Sequence, residues 1–154
     1  NYACVLQKDG PHDVADLKRS YQYILGKVTA ALKRCAINAA YLPISDIALV
    51  DNRKKISGNA QKRGRKYILH HGTLLYNYDL SRIEHYLAIP ASMPDYRERR
   101  PHRDFVTNAP VSKKHFQDAL CAEFAAFQED NAVSAAERER LEVLRSSGNA
   151  AVIV

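Results

Sequence analysis

The stretch "DNRKKISGNAQKRGRKYILHHGT", residues 51–73, contains the residues of this chain best suited to chemistry. Lys55 stands just before "SGNA", a run of small residues in which Gly58 lets the backbone approach a ligand closely or take a positive φ. Exposed backbone N–H groups in such a run can cradle a phosphate as a nest. A flexible lysine beside them can offset charge on a phosphate or on a developing oxyanion. The stretch therefore indicates an anion site.

A second run of small residues, "HHGT" at residues 70–73, follows on the next predicted strand, so the two runs are expected to lie side by side. Side chains alternate across a strand, so His70 and His71 point to opposite faces and at most one of them serves the site. We predict that this residue is His71, next to Gly72.

The same stretch has two further interpretations. Seven of the fourteen residues from Arg53 to Lys66 are Lys or Arg, which is also typical of a nucleic-acid interface or of a solvated surface. Sequence-tolerant nucleic-acid binding adds aromatic side chains among the basic ones. Here Tyr67 and Tyr76 lie outside the basic run. Composition and spacing leave all three interpretations open.

The totals describe one globular domain with a substantial core. The chain has 154 residues, 46% of them hydrophobic and 26% charged, and a net charge of +6 that favours anionic partners. No apolar run approaches the ~20 residues of a membrane span, and no signal peptide opens the chain, so a cytoplasmic protein is expected. The three cysteines form no CxxC pair, which predicts neither a metal site nor a disulfide framework.

The first half of the chain predicts one strand, one helix and three more strands. "NYACVLQ" alternates as a buried strand does, and apolar residues from Asp16 to Arg34 recur on one helix face, which Asp13 or Asp16 can cap. "ISDIALVDNRKKISG" predicts two short strands about a turn near Asp51-Asn52, and "KYILHHGTLLYN" predicts a third.

The second half is predicted to be mostly helical. Ser81 and Glu84 form a capping-box pattern for a short helix that ends before Pro90, and residues 90–104 read as a charged loop. Two more helices are predicted, one capped by Ser112 with an apolar face of Phe116, Leu120, Phe124 and Phe127, and one from Ser134, with Glu137, to Gly148. The fold class is thus α/β or α+β, with a sheet portion at residues 1–110 and a helical C-terminal segment at residues 111–154.

The segment "SDIALVDNRKKISGNAQKRGRKYILHHGTLLYNYDLSRI", followed by "FVTN" at residues 105–108, resembles the biotin/lipoate A/B protein ligase family. It is most similar to the lipoate–protein ligase A branch, whose pattern runs from N-D through K-[IVF]-S-G-[NS]-A and a short basic loop to H-H-G-T-L-L and V-T-N. The resemblance covers about residues 1–127. It implies a mixed β-sheet flanked by helices, the catalytic fold shared by class II aminoacyl-tRNA synthetases and biotin–lipoate ligases.

The resemblance also implies site residues. Lys55 matches the lysine that contacts the acyl carbonyl and the acyl-adenylate, Asp46 matches the N-D element, and Asn1 falls near a position that touches the nucleotide. The remaining residues implied to line the pocket are Ser57, Gly58, Asn59, Ala60, His71, Gly72 and Thr73.

The implied reaction joins lipoate or a medium-chain acyl group to a lysine through an acyl-adenylate, with ATP and Mg²⁺. The implied partners are the lipoyl carrier domains of 2-oxoacid dehydrogenases or the glycine cleavage H protein, with neither membrane nor nucleic acid. The basic loop from Lys62 to Lys66 is a candidate for steering an acidic carrier domain.

Two departures from the family pattern keep alternatives open. The segment R-R-x-x-G-G-G-x-V-x-H-D, which wraps the lipoyl group and phosphates, is absent from this sequence, and the sole methionine is Met93. We expect that the chain is the C-terminal portion of a longer ligase, although a partner could supply the missing part or the chain could be inactive alone. Some family members transfer octanoyl or lipoyl groups through a cysteine, and the nearest thiol, Cys35, lies 20 residues before Lys55.

Overall fold

The structure of the chain, a computed structural model, describes residues 1–12, 14–126, 135, 136 and 139. Asp13, Phe127 and almost all of the helix predicted from Ser134 to Gly148 lie outside these residues. The proposed boundary between residues 110 and 111 stays a prediction. No helix in the described part of the chain is both long and apolar enough to cross a membrane.

A five-stranded sheet forms the centre of the fold, in the order β1-β5-β4-β3-β2 with every neighbouring pair antiparallel. One isolated parallel bridge joins Lys55 to Val106. The strands are β1 Tyr2–Gln7, β2 Ala39–Leu42, β3 Asp46–Leu49, β4 Lys55–Arg63 and β5 Tyr67–Leu74. Helices flank this sheet, so the predicted fold class is confirmed.

The predicted strands and the turn at Asp51-Asn52 are present, but β2 was not predicted. The turn is closed by Asp51 Oδ1, which accepts from Asn52 N at 2.8 Å, and by Asn52 Oδ1, which accepts from Lys54 N at 2.9 Å. Four strands therefore follow the first helix instead of three. The β2 sequence "AAYL" is four residues long, half-buried and followed by Pro43, so it carries too little alternation to be read as a strand.

Helices α1 (Leu17–Arg34) and α4 (Lys113–Phe124) cover one face of the sheet, which we call the core face. Their predicted N-caps are confirmed: Asp16 Oδ1 accepts from Arg19 N at 2.9 Å, and Ser112 Oγ accepts from His115 N at 3.2 Å. The main core joins the apolar stripes of both helices to the sheet, and its fully buried members include Leu25, Val28, Leu32, Ile47 and Ile56. Burying each such side chain contributes about 1.5–3 kcal/mol.

Short helical turns cover one end of the opposite face, which we call the outer face. They are α2 (Ser81–Tyr86), a 3-10 turn (Asp95–Arg97) and α3 (His102–Phe105). A second apolar cluster lies beneath them, built from Ala48, Tyr96, Phe105 and Val106.

Two predictions for this region were wrong. Leu80, not Ser81, is the N-cap of α2, and Ser81 donates through its N and Oγ to Asp79 Oδ1 at 3.1 and 2.6 Å. The supposed loop at residues 90–104 contains helical turns that begin directly after Pro94 and Pro101.

The first two residues of the predicted basic loop from Lys62 to Lys66 belong to a strand. Strand β4 continues through Arg63, which leaves three residues, Gly64 to Lys66, to make the turn. The Arg63 guanidinium lies on the core face, where Nη1 donates to Ser20 Oγ at 2.9 Å and to Gln61 Oε1 at 2.8 Å. Arg63 is therefore a packing residue and not part of a continuous basic surface.

Candidate active site

A cleft of about 270 Å³ opens on the outer face, between β4, β5 and the short helical turns. Its polar end is formed by Lys55, Gly58 and Thr73. The other lining residues are Ser57, Leu75, Ile83, Leu87, Arg97, His102, Phe105 and Val106. A larger cavity of about 480 Å³, between β1 and α4, is lined by Asn1 but not by Lys55. The smaller cleft is the candidate site because it holds the predicted lysine.

Lys55 is held in a fixed direction by a neighbouring strand. Its Nζ lies 2.7 Å from Asp46 Oδ1, and the Lys55 and Asp46 side chains are 27% and 11% exposed. The other Asp46 oxygen, Oδ2, accepts a hydrogen bond from the Tyr96 hydroxyl at 2.6 Å. Burial and this bond to a carboxylate raise the pKa of Tyr96 above its usual value, so the hydroxyl stays protonated and donates. The three side chains form one chain of charge-assisted contacts that ends at the cleft.

Gly58 makes room for the lysine. A Cβ at this position would lie 3.0 Å from Lys55 Nζ and 3.1 Å from Lys55 Cε. The prediction of a phosphate nest at "SGNA" was wrong, because Gly58 pairs with Asp46 on one side and Thr73 on the other within a continuous antiparallel ladder. The backbone N–H groups of such a strand serve the sheet instead of converging on an anion.

Four other predicted residues share the outer face with the lysine. Thr73 Oγ1 lies 3.1 Å from Asn1 Oδ1, to which it donates, at the end of β1. His71 pairs with Ala60 on the neighbouring strand, and both are exposed. The structure thus places His71, and not His70, on the face of the cleft, although His71 does not line the cleft itself.

Three residues predicted to line the pocket are directed toward the core face: Ser57 and Asn59 by their side chains, and Gly72 by the direction that a Cβ would take. Ser57 is 1% exposed, and its Oγ accepts from Asn59 Nδ2 at 3.2 Å. Asn59 also donates to Ser45 O at 2.9 Å and accepts from the Tyr2 hydroxyl. A Cβ on Gly72 would lie 2.2 Å from Asn59 Oδ1 and 2.4 Å from Tyr2 Cζ. Ser57 still lines the cleft, whereas Asn59 and Gly72 do not and instead support the sheet from the core face.

His70 completes that support as a neutral imidazole. Its Nε2 lies 3.3 Å from Asn59 Oδ1, which can only accept, so Nε2 carries the proton and Nδ1 accepts from Gln61 Nε2 at 3.3 Å. Complete burial, with a smaller effect of nearby His71, lowers the pKa of His70 to about 4. Burial likewise raises the pKa of Tyr2 to about 12. All of these groups stay uncharged near neutral pH.

The sequence did not single out three residues of the segment predicted to be a loop: Arg97 and His102, which line the cleft, and Tyr96, which donates to Asp46. Tyr96 and Arg97 are 7% and 4% exposed. One signal was present: an aromatic residue stands in an otherwise charged segment between Pro94 and Pro101. An isolated tyrosine among charges is a weak indication of burial, because tyrosine is also common at surfaces.

Comparison with known proteins identifies the family. Residues 1–125 match the family model described as the lipoyl protein ligase A/B catalytic domain. The chain belongs to this family. It is 34% identical over 86 residues to a Schizosaccharomyces pombe protein named for lipoate-protein ligase A, a match that covers 56% of this chain and 24% of that protein. It is 36% identical over 53 residues to a Plasmodium falciparum protein named inactive lipoate–protein ligase 2, which covers 34% of this chain and 14% of that protein.

Solved structures of ligases in this family share the fold. A bi-partite lipoate protein ligase described with its E2 lipoyl domain, from Thermoplasma acidophilum, superposes with a TM-score of 0.75 at 20% identity, over 94% of this chain and 58% of that one. A lipoate-protein ligase A bound with ATP gives 0.74 at 21% identity, over 94% and 59%. The matches therefore span between 14% and 59% of the length of these relatives.

The described residues of the candidate site do not form a set of protein ligands for a metal ion. No group of three or more His, Cys, Asp or Glu side chains that could hold a metal occurs in the described residues. Asp46 is the carboxylate beside the cleft, and both of its oxygens already accept hydrogen bonds. Mg²⁺ in nucleotide sites is commonly held by one or two carboxylates together with substrate phosphates. Because both Asp46 oxygens are engaged, a Mg²⁺ ion at this cleft would be held chiefly by the phosphates of a bound nucleotide.

Proposed function

We propose that this chain carries the lysine-bearing part of a lipoate–protein ligase active site. The observation that carries the proposal is the Lys55 ammonium at the rim of a largely apolar cleft, held 2.7 Å from Asp46 and laid across Gly58. Membership of the ligase family supports the same assignment. The reaction joins lipoate, or a medium-chain acid, to a lysine of a lipoyl carrier domain.

The chemistry divides into two steps. A carboxylate oxygen of the acid attacks the α-phosphorus of ATP, which forms an acyl-adenylate and releases pyrophosphate. The amine of the carrier lysine then attacks the acyl carbonyl, and AMP leaves as the amide forms. Negative charge grows on the carbonyl oxygen and on the departing phosphate, and a fixed ammonium such as Lys55 stabilises both. Mg²⁺ would balance phosphate charge.

The apolar wall of the cleft suits the acyl chain. Leu75, Ile83 and Leu87 line the same cleft as Lys55. The described cleft, at about 270 Å³, lies just below the ~300–1,000 Å³ of typical small-molecule sites. This size supports an arrangement in which a further segment, such as the Gly-rich one that the family pattern contains, completes the pocket over the outer face.

Carrier recognition is assigned to the exposed cations near the β4–β5 turn. Lys62, Arg65 and Lys66 are exposed, whereas Arg63 is engaged in the core. Like-signed exposed charges raise the association rate of an oppositely charged partner, and salt screens the effect. Association with an acidic lipoyl domain that is independent of salt would contradict this part of the proposal.

Transfer through a cysteine does not fit the geometry. Cys35 follows the C-terminal end of α1 within the main core, does not line the cleft, and has its pKa raised by burial. The pKa of Cys4 is likewise raised to about 11 by burial. Thiols held in the protonated form are weak nucleophiles.

A binding role without catalysis is a competing proposal, since one relative is named inactive. A single assay separates the two. The complete protein is incubated with an apo lipoyl domain, octanoate or lipoate, and ATP, and the acyl-lysine is detected by mass spectrometry. A second reaction supplies chemically prepared octanoyl-AMP in place of ATP and acid. We expect product in both reactions. Carrier binding with no product from either donor would refute the ligase assignment and favour the binding role.

A further inference from the structure

Arg97 is a buried cation that lines the cleft. It is 4% exposed and closes the 3-10 turn above the outer face. Its Nε donates to Arg100 O at 3.0 Å, its Nη2 lies 3.4 Å from His102 Nδ1, and its guanidinium carbon lies 4.6 Å from the centre of the Phe105 ring. These contacts orient the side chain without neutralising it.

His102 is a hydrogen-bond partner of Arg97 and not its counter-ion. Its Nε2 lies 3.3 Å from Ala88 O, and a carbonyl oxygen can only accept, so Nε2 carries the proton. Nδ1 is then the acceptor for the Arg97 Nη2 donor. Within the described residues, no carboxylate forms an ion pair with Arg97.

One end of the guanidinium remains available. Each fully buried side-chain nitrogen or oxygen in the described part of the chain has a hydrogen-bond partner. None of the Arg97 hydrogen bonds uses Nη1. Nη1 is therefore the atom that keeps contact with open space, and the open space beside Arg97 is the cleft.

The two cations of the cleft differ in how they are compensated. The Lys55 charge is matched by Asp46 at 2.7 Å. Arg97 has only a carbonyl, a neutral imidazole and an aromatic ring, although it is the more buried of the two. Removing a charge from water without a counter-ion is costly, so an anion that enters the cleft gains most from pairing with Arg97.

We propose that Arg97 receives the oxyanion of the ligand, either the phosphate of a nucleotide or the carboxylate of a free acid. The planar guanidinium suits both, since each presents two oxygens to paired N–H donors. Lys55 is then left to act at the acyl carbonyl. The identity of the ligand rests on the proposed function, but the existence of an anion site at Arg97 does not.

The test is binding of AMP, inorganic pyrophosphate and octanoate, each measured by calorimetry. The proteins are the wild type, Arg97→Gln and Arg97→Lys, with Arg103→Gln as the matched control. Arg103 lies on α3, is 73% exposed and loses the same charge when substituted. We expect Arg97→Gln to weaken binding of its anion by at least about tenfold, in line with the loss of a charge-assisted hydrogen bond. The affinity of Arg97→Lys for the anion should lie between those of the wild type and Arg97→Gln, and the affinity of Arg103→Gln should match that of the wild type.

The pattern of loss identifies the anion. Weaker binding of AMP and pyrophosphate with octanoate unchanged assigns Arg97 to phosphate, and the reverse assigns it to carboxylate. Equal affinities in all four proteins, an equal loss in Arg103→Gln, or no binding of any probe by the wild type would overturn the proposal. If Arg97→Gln does not fold, Arg97→Lys decides the matter through the same comparison.

The anion site and the ligase activity fail independently. Binding that depends on Arg97 without acyl transfer would preserve the site and refute the enzymatic proposal. Acyl transfer together with anion binding that is unaffected by the Arg97 substitutions would support the enzymatic proposal and refute the anion site. A purely structural role for Arg97 would lower the melting temperature while leaving the affinity of the folded fraction unchanged.

Discussion

Asp46 Oδ1 lies 2.7 Å from Lys55 Nζ across the β3–β4 pair, while Asp46 Oδ2 accepts from the Tyr96 hydroxyl at 2.6 Å. The Asp46 carboxylate therefore connects the sheet to the 3-10 turn that contains Tyr96. A β-bulge between Ile47 and Ala48 shifts the register where the three groups meet. Such a bulge re-aims nearby side chains, which accounts for a lysine that points along the sheet surface.

Lys55→Ala in the complete protein is expected to lower acyl transfer by about 10²–10³-fold, because one preorganised charge beside the reacting carbonyl is lost. The measurement is the rate of carrier acylation from octanoyl-AMP. Lys18→Ala removes an exposed lysine from α1, away from the cleft and from the β4–β5 turn, and should retain the wild-type rate. Full activity in Lys55→Ala would remove the lysine from the mechanism.

Tyr96→Phe is expected to destabilise the fold by about 1.5–3 kcal/mol, since a buried hydrogen bond to a carboxylate is lost. Asp46→Asn should destabilise it comparably and also slow transfer, because Lys55 loses the group that directs it. Urea unfolding of both single variants and the double variant gives their coupling energy. Tyr86→Phe, at a tyrosine that is 73% exposed, is the control. Strictly additive losses would show that the Tyr96–Asp46 contact contributes nothing.

Alanine substitutions at Gly58 and Gly72 should have different effects on activity and stability. In Gly58→Ala the new Cβ meets the flexible end of Lys55, so the lysine moves, transfer falls and the melting temperature changes little. In Gly72→Ala the new Cβ meets Asn59 and the rigid ring of Tyr2, which should cost about 1–3 kcal/mol of stability. Thermal denaturation and the acylation rate, measured on both variants, separate the effects. Equal loss of stability in the two proteins would contradict the assignment.

Stability is expected to fall as the pH is lowered through the histidine range. The pKa of His70 is about 4 in the folded protein, against an ordinary value of 6.5. Between these two pH values the unfolded chain binds a proton at His70 and the folded chain does not. The stabilisation is complete above pH 6.5 and is lost progressively toward pH 4, by on the order of 3 kcal/mol. Urea midpoints between pH 7 and pH 5 measure the slope. His70→Gln should flatten it, whereas His85→Gln, at an exposed site, should not. An unchanged slope in His70→Gln would show that another group is responsible.

Local patterns in the sequence predicted most of the elements. The caps Asp16 and Ser112 were readable because each places a short polar side chain before an apolar helical stripe. The turn at Asp51-Asn52 was readable from its residue types alone. Strand β2 was missed because its pairing with β3 stabilises it, and a segment of four residues is too short to show a strand pattern in its own sequence.

The candidate site was predicted in part. A motif indicated Lys55 and Asp46, which form an ion pair in the structure, and alternation correctly separated His71 from His70. The same alternation applies to "SGNA" and "HHGT", which were nevertheless read as continuous pocket walls. The buried Tyr96 and Arg97 could not be found this way, since their burial depends on helical turns that fold back over the sheet from a segment rich in charge.

The division of β4 and β5 between the two faces has a practical consequence for engineering. Gly58, Ala60, His71 and Thr73 face outward, and Ser57, Asn59 and Gly72 face the core. A combinatorial library confined to the outward set would vary the surface in and around the candidate cleft while leaving the interior untouched. Libraries that randomise whole contiguous motifs would instead spend most of their diversity on sequences that never fold.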